Sequence, residues 1–300
     1  MKILLSGSSG LIGSALAPVL KAEGHQVMRV VRTAQPTDDG AIFWNPVAGQ
    51  LDLTGLEGWD VVIHLAAESI ANGRWNAARK ARIRDSRVKG TSLLAERVAQ
   101  LKRPPETFIS ASAVGYYGDR GDELLTEQSA PGSNFLAGVC QEWEAATHPA
   151  SDGGIRVVCV RFGAVLSSSG GALAKMLTPF RMGVGGIIGS GTQYFSWISI
   201  EDAVRALLHV LRTDSLRGPV NTVAPNPITN SEFTKALGRT LHRPTIFPMP
   251  AFAARLALGE MADELLLASA RVAPSKLLAA DFVFNHAEME SALKKLLRRG

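Results

Sequence analysis

The chain has 300 residues, 46% of them hydrophobic, and a formal net charge of +5 at pH 7. This length is enough to bury the cores of one large α/β domain and one smaller domain. No apolar run approaches the roughly 20 residues that cross a bilayer. The first apolar run ends in glycines, which is typical of a buried strand and not of an export signal. The composition therefore predicts a cytoplasmic protein without a membrane partner.

The positive charge is concentrated between Arg79 and Lys89 and in the last residues of the chain. Aromatic residues make up only 6% of the sequence and do not accompany these basic runs, which argues against a nucleic-acid-binding face. The basic runs are interpreted as solvated helix faces, with the binding of an anionic small molecule as the alternative. The two cysteines, Cys140 and Cys159, provide neither a disulfide framework nor a set of metal ligands, so no metal site is predicted.

Short β-branched segments alternate with helical segments through the first half of the chain. Strands are predicted at residues 2–6, 26–32, 60–66, 107–112 and 155–161, and helices at 10–23, 76–101 and 135–147. The strands are apolar on both faces, as parallel strands covered by helices on both sides are. This alternation predicts an α/β fold with a doubly wound parallel sheet, in which ligands bind beyond the carboxyl ends of the strands.

The first predicted strand leads directly into a glycine-rich turn, GSSGLIG at residues 7–13. Gly7 permits a tight turn, Gly10 allows backbone N–H groups to approach a pyrophosphate, and Gly13 allows the helix to pack closely on the strand. The amino end of the following helix offers unpaired N–H groups and the positive end of its dipole. The turn therefore predicts a dinucleotide site. The residues assigned to the pyrophosphate are Gly7, Ser9, Gly10, Leu11, Ile12 and Gly13.

The end of the second predicted strand distinguishes between the two nicotinamide dinucleotides. An acidic residue there would bind the ribose hydroxyls of NAD, but the strand ends in Val31, Arg32 and Thr33. Arg32 can bind a 2′-phosphate through a charge-assisted contact of about 1.5–3 kcal/mol. The sequence therefore favours NADP over NAD, and a plain surface arginine is the alternative for Arg32.

Two charged residues are predicted at the crevice after the third strand. Glu68 follows this strand beside apolar Ala67 and Ile70, a setting that suits a general base, and the alternative is an exposed loop acid or a helix cap. Arg87 shares a helix face with apolar residues at steps of three and four. Because a buried charge requires a partner, Arg87 is predicted to contact Glu68 or an anionic substrate group, and a backbone carbonyl is the alternative.

The pattern of the sequence changes after residue 165. Residues 166–194 are rich in glycine and serine, strands are predicted at 196–199 and 218–224, and proline-separated helices follow from about residue 225. Ser199 and Asp202 fit a capping box at the start of a helix over 201–212. We therefore predict a dinucleotide-binding domain over 1–165, to which residues 195–224 return. Residues 166–194 and 225–300 are predicted to form a smaller, mostly helical domain.

Several motifs together resemble the extended short-chain dehydrogenase/reductases, and more closely their atypical branch known as the epimerase family. They are GSSGLIG at 7–13, IHLAA at 63–67, ISASAVGYYG at 109–118, FLAGVCQEWE at 135–144 and GSGTQYFSWISIED at 189–202. The resemblance implies a Rossmann domain that binds a nicotinamide dinucleotide. It also implies that Leu65, Ala66 and Ala67 line the adenosine side, that Phe162 borders the nicotinamide, and that Gln193 contacts the substrate.

The same resemblance reveals a departure in the helix at 135–147. Related enzymes carry a tyrosine and, four residues later, a lysine, and this pair moves the proton that accompanies hydride transfer. This chain has Leu136 and Cys140 at those two positions. Cys140 is interpreted as a packed helix residue, and Tyr116 with Arg120 is only a loop imitation of the pair.

Three residues are candidates for the missing proton chemistry. By the resemblance, Ser112 matches the serine or threonine that positions a substrate carbonyl or hydroxyl. Tyr117 is close to Ser112 in sequence and could reach the same oxygen, with a loop-packing tyrosine as the alternative, and Glu68 is the third candidate. His64, within the third strand, is interpreted as a core histidine.

Two functions of different classes follow from these residues. The first is an NADP-binding oxidoreductase or epimerase-like enzyme that acts on a small polar substrate between the Rossmann crevice and the carboxy-terminal helices. The second is a non-catalytic sensor or interaction protein that uses NADP(H) as a redox gauge or a structural ligand. A closed polar pocket over the nicotinamide would favour the enzyme, and exposed apolar surface on the carboxy-terminal helices would favour the interaction protein. A homodimer is compatible with both.

Overall fold

The computed structural model describes residues 1–32, 41–52 and 55–297. Its strands are β1 (Lys2–Ser6), β2 (Gln26–Val31), β3 (Ile42–Asn45), β4 (Gln50–Leu51), β5 (Val61–His64), β6 (Thr107–Ala113), β7 (Leu124–Leu125), β8 (Arg156–Phe162), β9 (Ala164–Leu166), β10 (Tyr194–Phe195), β11 (Trp197–Ser199), β12 (Gly218–Thr222), β13 (Ile228–Thr229) and β14 (Arg271–Val272). Its α-helices are α1 (Leu11–Ala22), α2 (Ala77–Ala99), α3 (Phe135–Ala145), α4 (His148–Asp152), α5 (Gly171–Arg181), α6 (Ile200–Arg212), α7 (Asn230–Leu241), α8 (Ala251–Leu258), α9 (Glu260–Ala262), α10 (Ser275–Ala279) and α11 (Met289–Leu297). A 3₁₀ turn covers Val114–Tyr117, and a π-helical turn covers Asp263–Leu267.

An eight-stranded sheet with the order β12-β8-β6-β5-β1-β2-β3-β4 forms the centre of the molecule. Its neighbouring strands are parallel, except that β4 runs antiparallel to β3. One face packs against α1 and α6, and the other packs against α2 and α4. The prediction of an α/β fold with a doubly wound parallel sheet is therefore confirmed.

The chain reverses its direction across the sheet at β1. From β1 it passes outwards to β2 and β3, and it then returns to β5 on the other side of β1. Connections leave β1 and β5 in opposite directions, so a crevice opens beyond the carboxyl ends of these two strands. The glycine turn after β1 and the segment after β5 form the two sides of this crevice.

Side-chain caps fix the first residues of the two helices that border the crevice. The side chain of Asn76 accepts a hydrogen bond from the N–H of Arg79, and α2 begins at the next residue. The side chain of Asn134 does the same for Ala137, and α3 begins at Phe135. Both caps satisfy a backbone donor that a helix end leaves unpaired.

The carboxy-terminal half has its own apolar core, in which α5, α7 and α11 pack together. Asp202 attaches the end of the chain to α6. The predicted capping box is half formed, because the Ser199 hydroxyl accepts from the N–H of Asp202 but the carboxylate binds the N–H groups of Asn285 and His286 at 2.9 and 2.8 Å. Within the described residues, no helix is both long and apolar enough to span a bilayer.

His64 is a core residue, as predicted. It ends β5 and is completely buried, with its Nδ1 atom 2.6 Å from the hydroxyl of Ser6 and its ring edge-on to Trp44 at 5.7 Å. Burial lowers the pKa of His64 from 6.5 to about 4, so the folded protein holds the neutral ring.

Replacement of His64 by asparagine is expected to reduce the acid sensitivity of the fold. Between pH 6.5 and pH 4 the unfolded chain binds a proton at His64 that the folded chain excludes. The stabilisation is therefore complete above this window, and up to about 3 kcal/mol is lost as the pH falls through it. Urea unfolding of both proteins at each end of the window measures the difference, and equal losses in both proteins would contradict this account.

Candidate functional site

Backbone contacts of the glycine turn leave no space for side chains at two positions. Gly7 adopts a φ of +72°, and a β-carbon there would lie 2.6 Å from the carbonyl carbon of Leu65. A β-carbon at Gly13 would lie 2.2 Å from the carbonyl oxygen of Gly7. The turn therefore lies directly against both α1 and the segment after β5, as a phosphate-binding turn must.

The amino end of α1 presents free backbone donors. Gly10 is the residue before the helix, and no side chain caps it. The first helical hydrogen bond joins the N–H of Ser14 to the carbonyl of Gly10, so within the described residues the N–H groups of Leu11, Ile12 and Gly13 have no acceptor. The first turn of α1 also contains no acidic residue. This arrangement fits a diphosphate, which would accept from these donors at the positive end of the helix dipole.

Arg32 is exposed and follows directly after β2 at the carboxyl edge of the sheet. Among the residues that the structure describes, no acceptor binds its guanidinium group, so its donors are free for a ligand. The neighbouring Thr33 lies outside the described residues. The position of Arg32 fits an adenosine 2′-phosphate, because in this fold the second strand ends at the adenosine ribose.

Leu65, Ala66 and Ala67 continue from β5 along the opposite side of the glycine turn. The N–H of Leu65 donates to the carbonyl of Ser6 at 3.2 Å, which ties the segment to the end of β1. Leu65 and Ala66 are half-buried and Ala67 is exposed. The segment therefore offers a small apolar wall that fits an adenosine group.

Glu68 lies at the crevice edge, but its surroundings differ from the predicted apolar setting. Its carboxylate forms an ion pair with Arg79 and lies 3.6 Å from Nε of Arg82. The second terminal nitrogen of Arg79 donates to the carbonyl of Ser69, so this arginine holds the whole loop. One oxygen of the Glu68 carboxylate is thus held between two arginines.

Ser112 lies near the carboxyl end of β6, and its hydroxyl group is directed into the protein. It donates to Glu144 at 2.6 Å, and only 3% of Ser112 is exposed. Arg161, from β8, binds both oxygens of the Glu144 carboxylate at 2.7 Å. Burial alone would lower the pKa of Arg161, but the hydrogen bonds and the charge of Glu144 outweigh it and raise that pKa. The group is a buried, bidentate ion pair that holds α3 on the sheet.

Tyr117 belongs to the same buried network and does not reach an open crevice. It is completely buried, its hydroxyl donates to Asn221 at 2.7 Å, and it accepts from Arg161 at 2.9 Å. Tyr116 stacks on the Arg161 guanidinium at 3.4 Å. The alternative interpretation of Tyr117 as a packing residue therefore describes its position better than the role of proton carrier does. Phe162, at the end of β8, is also packed in the core.

Sequence reasoning missed Glu144, although two signals pointed to it. Leu136, Cys140 and Glu144 recur at steps of four, which places them on one helix face. Arg161 lies within a buried strand and requires a partner of opposite charge. The partner is Glu144, one helical turn beyond Cys140.

The two α3 positions that replace the tyrosine and the lysine are both buried. Leu136 and Cys140 are 7% and 3% exposed. Burial raises the pKa of the Cys140 thiol to about 12, so it is neither a ready acid nor a nucleophile at neutral pH. Burial raises the pKa of Cys159 to about 12 as well. No group on this face of α3 replaces the tyrosine.

Charged and aromatic side chains join α2 and α3 to the carboxy-terminal half, and this group of contacts is called the roof below. Lys80 forms an ion pair with Glu260 at 2.7 Å and lies 4.5 Å from the ring centre of Phe135. Trp75 packs edge-on against the same phenylalanine at 5.4 Å. The first turn of α2 is thereby joined to both α3 and α9.

Glu264 and Lys175 provide two further contacts of the roof. The Glu264 carboxylate accepts from the N–H groups of Phe135 and Leu136, each at 3.1 Å, and so caps the amino end of α3. Burial raises the pKa of the Glu264 carboxyl, and these N–H groups oppose the shift. Lys175, on α5, donates to the carbonyl of Ala71 at 2.6 Å.

The two residues predicted to contact substrate both donate to backbone carbonyls. Gln193 is 7% exposed, and its amide nitrogen donates to the carbonyls of Ile188 and Leu266 at 2.9 Å each. It therefore holds the glycine-rich loop to the π-helical turn. Arg87 is buried, as its helical spacing predicted, and donates to the carbonyls of Glu68 and Ile83 at 3.1 and 3.0 Å.

The carboxy-terminal half carries an exposed apolar face away from its own core. It consists of large side chains on α8 and on the chain just before it: Ile246, Phe247, Met249, Phe252 and Leu256. Phe252 and Leu256 are 71% and 75% exposed and lie one turn apart on α8. Large exposed apolar patches of this kind mark interaction sites in soluble proteins.

Two family models match the chain in succession. Residues 3–222 match the NAD-dependent epimerase/dehydratase family. Residues 249–296 match a domain of unknown function, DUF1731. The first match covers the main sheet, and the second covers the roof residues on α9 and the exposed apolar face on α8.

Similar proteins extend over the whole length of the chain. The epimerase family protein Mb2239 of Mycobacterium bovis is 46% identical over 97% of this chain and 96% of its own length. The crystal structure of the human epimerase family protein SDR39U1 (isoform 2), solved with NADPH, is 35% identical, has a TM-score of 0.92, and is matched over 100% of both chains. The UDP-N-acetylglucosamine 4-epimerase of Bacillus cereus has a TM-score of 0.76 over 100% of both chains at 16% identity, and that likeness concerns the fold alone.

Replacement of Glu144 by glutamine is expected to destabilise the fold by about 3–5 kcal/mol, because it leaves the buried Arg161 charge without its counter-ion. Glu142→Gln on the same helix is the matched control. Glu142 pairs with Arg84 at the surface, so its loss should cost less than about 1 kcal/mol. Urea unfolding measures both values. Equal losses of unfolding free energy in the two variants would show that the buried pair stabilises the fold no more than the surface pair does.

Proposed function

Because this chain belongs to the NAD-dependent epimerase/dehydratase family, we propose that its crevice binds NADP(H). The diphosphate would lie at the amino end of α1, and the adenosine 2′-phosphate would contact Arg32. One observation carries this proposal. The N–H groups of Leu11, Ile12 and Gly13 are free, and they follow a turn whose close backbone contacts leave no space for a side chain at Gly7 or Gly13. A bound nicotinamide would supply the capacity to accept or donate a hydride.

The preference for NADP over NAD is supported by two independent observations. An arginine with free donors follows β2, where an acid would select NAD. The human relative, similar over the full length of both chains, was crystallised with NADPH. A 2′-phosphate is the only part of NADP that NAD lacks, and a guanidinium group is well suited to bind it.

The use of the nucleotide that the geometry supports best is recognition without turnover, in a sensor or interaction protein. All three predicted proton carriers make contacts within the protein: Ser112 donates to Glu144, Tyr117 is buried in the core, and one carboxylate oxygen of Glu68 is ion-paired. The exposed apolar face on α8 is the feature expected of a protein that docks to a partner.

A second candidate is an oxidoreductase or epimerase-like enzyme that acts on a small polar substrate. It is supported by the polar side chains of the roof, which a ligand in the crevice would meet. Lys80, Lys175 and Glu264 would meet a polar or charged ligand there, and a hydroxyl- or carbonyl-bearing molecule would suit them.

Arg32→Ala is expected to weaken NADPH binding by about 10- to 100-fold and to leave NADH binding nearly unchanged, because only NADPH carries the phosphate that the guanidinium group binds. Calorimetric titration with both nucleotides measures the two changes. Arg103→Ala removes the same charge at the opposite edge of the sheet and is the control. Equal losses for NADPH and NADH would remove the assignment of Arg32, and wild-type protein that binds neither nucleotide would overturn the proposed function.

The two uses of the nucleotide can be separated with a panel of aldehydes, ketones and nucleotide sugars. With NADPH bound, we expect the nicotinamide absorbance to decay no faster than for free NADPH, because Ser112, Tyr117 and Glu68 are all engaged in contacts within the protein. If the wild-type protein shows turnover, Ser112→Ala abolishes it and Ser110→Ala on the same strand retains it, the enzyme would replace the sensor or interaction protein as the proposed function. Turnover that both variants retain would exclude Ser112 from the chemistry.

A further inference from the structure

The loss of the lysine from α3 removes a positive charge from the nicotinamide half of the crevice. Cys140 occupies that position, and it is uncharged because burial raises the pKa of its thiol to about 12. On the same face, Leu136 lies one turn earlier and Glu144 one turn later. No cation therefore arises from α3 at this place.

A cation reaches the same place from the neighbouring helix. The guanidinium carbon of Arg87, on α2, lies 5.0 Å from the ring centre of Trp143, which is on α3 and follows Cys140 by three residues. Its Nη1 atom donates to the carbonyl of Glu68, the residue that follows the crevice-lining segment after β5. The guanidinium group thus lies between the end of β5 and α3.

The guanidinium group retains donors that the protein does not use. Nη1 makes two hydrogen bonds, but within the described part of the chain neither Nε nor Nη2 has an acceptor. Nε of Arg79 is buried away from solvent without a partner, whereas neither of these two Arg87 atoms is buried in that way. The three N–H groups on these two nitrogen atoms can therefore donate to acceptor oxygens of a ligand.

Arg87 remains cationic despite its burial. Burial lowers the pKa of Arg87, and the nearby charge of Arg79 acts in the same direction, while the charge of Glu68 opposes the shift. An arginine remains protonated at neutral pH even when it is buried. Packing against Trp143 adds a cation–π contact and fixes the plane of the guanidinium group.

We propose that Arg87 replaces the missing lysine as the cation of the nicotinamide half, with its spare N–H groups donating to the hydroxyls of the nicotinamide ribose. The contact with α3 supports this half of the dinucleotide, because α3 carries the two positions at which related enzymes have the tyrosine and the lysine. Arg87 is then a cofactor-binding residue and not the substrate contact that the sequence suggested. The inference rests on the proposed binding of NADP(H).

The test compares NADPH with adenosine 2′,5′-bisphosphate, which carries the 2′-phosphate but no nicotinamide ribose. Arg87→Met is expected to weaken NADPH binding at least about tenfold and to leave the bisphosphate within about twofold of wild type. Arg87→Lys keeps the charge and should recover a large part of the lost affinity. Arg84→Met, on the exposed side of α2, is the matched control and should change neither affinity.

The outcomes separate this inference from the proposed function. Retained binding of the bisphosphate shows that the variant is folded and that the adenosine half is intact. Unchanged NADPH affinity in Arg87→Met would overturn the inference. Equal losses for both ligands in Arg87→Met and Arg87→Lys would also overturn it, since they would assign Arg87 a purely structural role. Wild-type protein that binds neither ligand would instead overturn the binding of NADP(H) itself.

Discussion

The close backbone contact between the glycine turn, the start of α1 and the segment after β5 is the constraint on which this molecule depends. With β-carbons at Gly7 and Gly13, the turn would overlap Leu65 and its own backbone. Because the chain fits there without side chains, the amino end of α1 lies directly at the point where the sheet order reverses. The free N–H groups, the adenosine wall and the exposed Arg32 all take their positions from this contact.

The electrostatics of the crevice follow a second constraint, which is that buried charges require partners. The helix face that holds the catalytic pair in related enzymes instead carries two apolar positions and Glu144, whose carboxylate binds Arg161 and Ser112. These polar groups fix α3 on the sheet. Their donors and acceptors are satisfied within the protein, so the network contributes to structure and leaves little for a reaction.

The carboxy-terminal half completes the site with contacts of a different kind. Glu264 caps the amino end of α3, and Glu260 holds the first turn of α2 through Lys80. The carboxy-terminal half thus contacts both helices that border the nicotinamide half. The short helix α9 also adjoins α8, which carries the exposed apolar face.

The sequence by itself determined the parts of this protein that depend on local patterns. Apolar β-branched runs gave the parallel strands, the spacing of glycines identified the phosphate turn, and helical periodicity placed Arg87 on a buried face. Only the tertiary structure decided which side chains meet, because partners such as Glu144 and Arg161, or Glu68 and Arg79, come from different elements. It also shows that Ser112, Tyr117 and Glu68 take part in hydrogen bonds and ion pairs within the protein. It also brought Arg87 beside Trp143 of α3, a proximity that no spacing along the chain encodes.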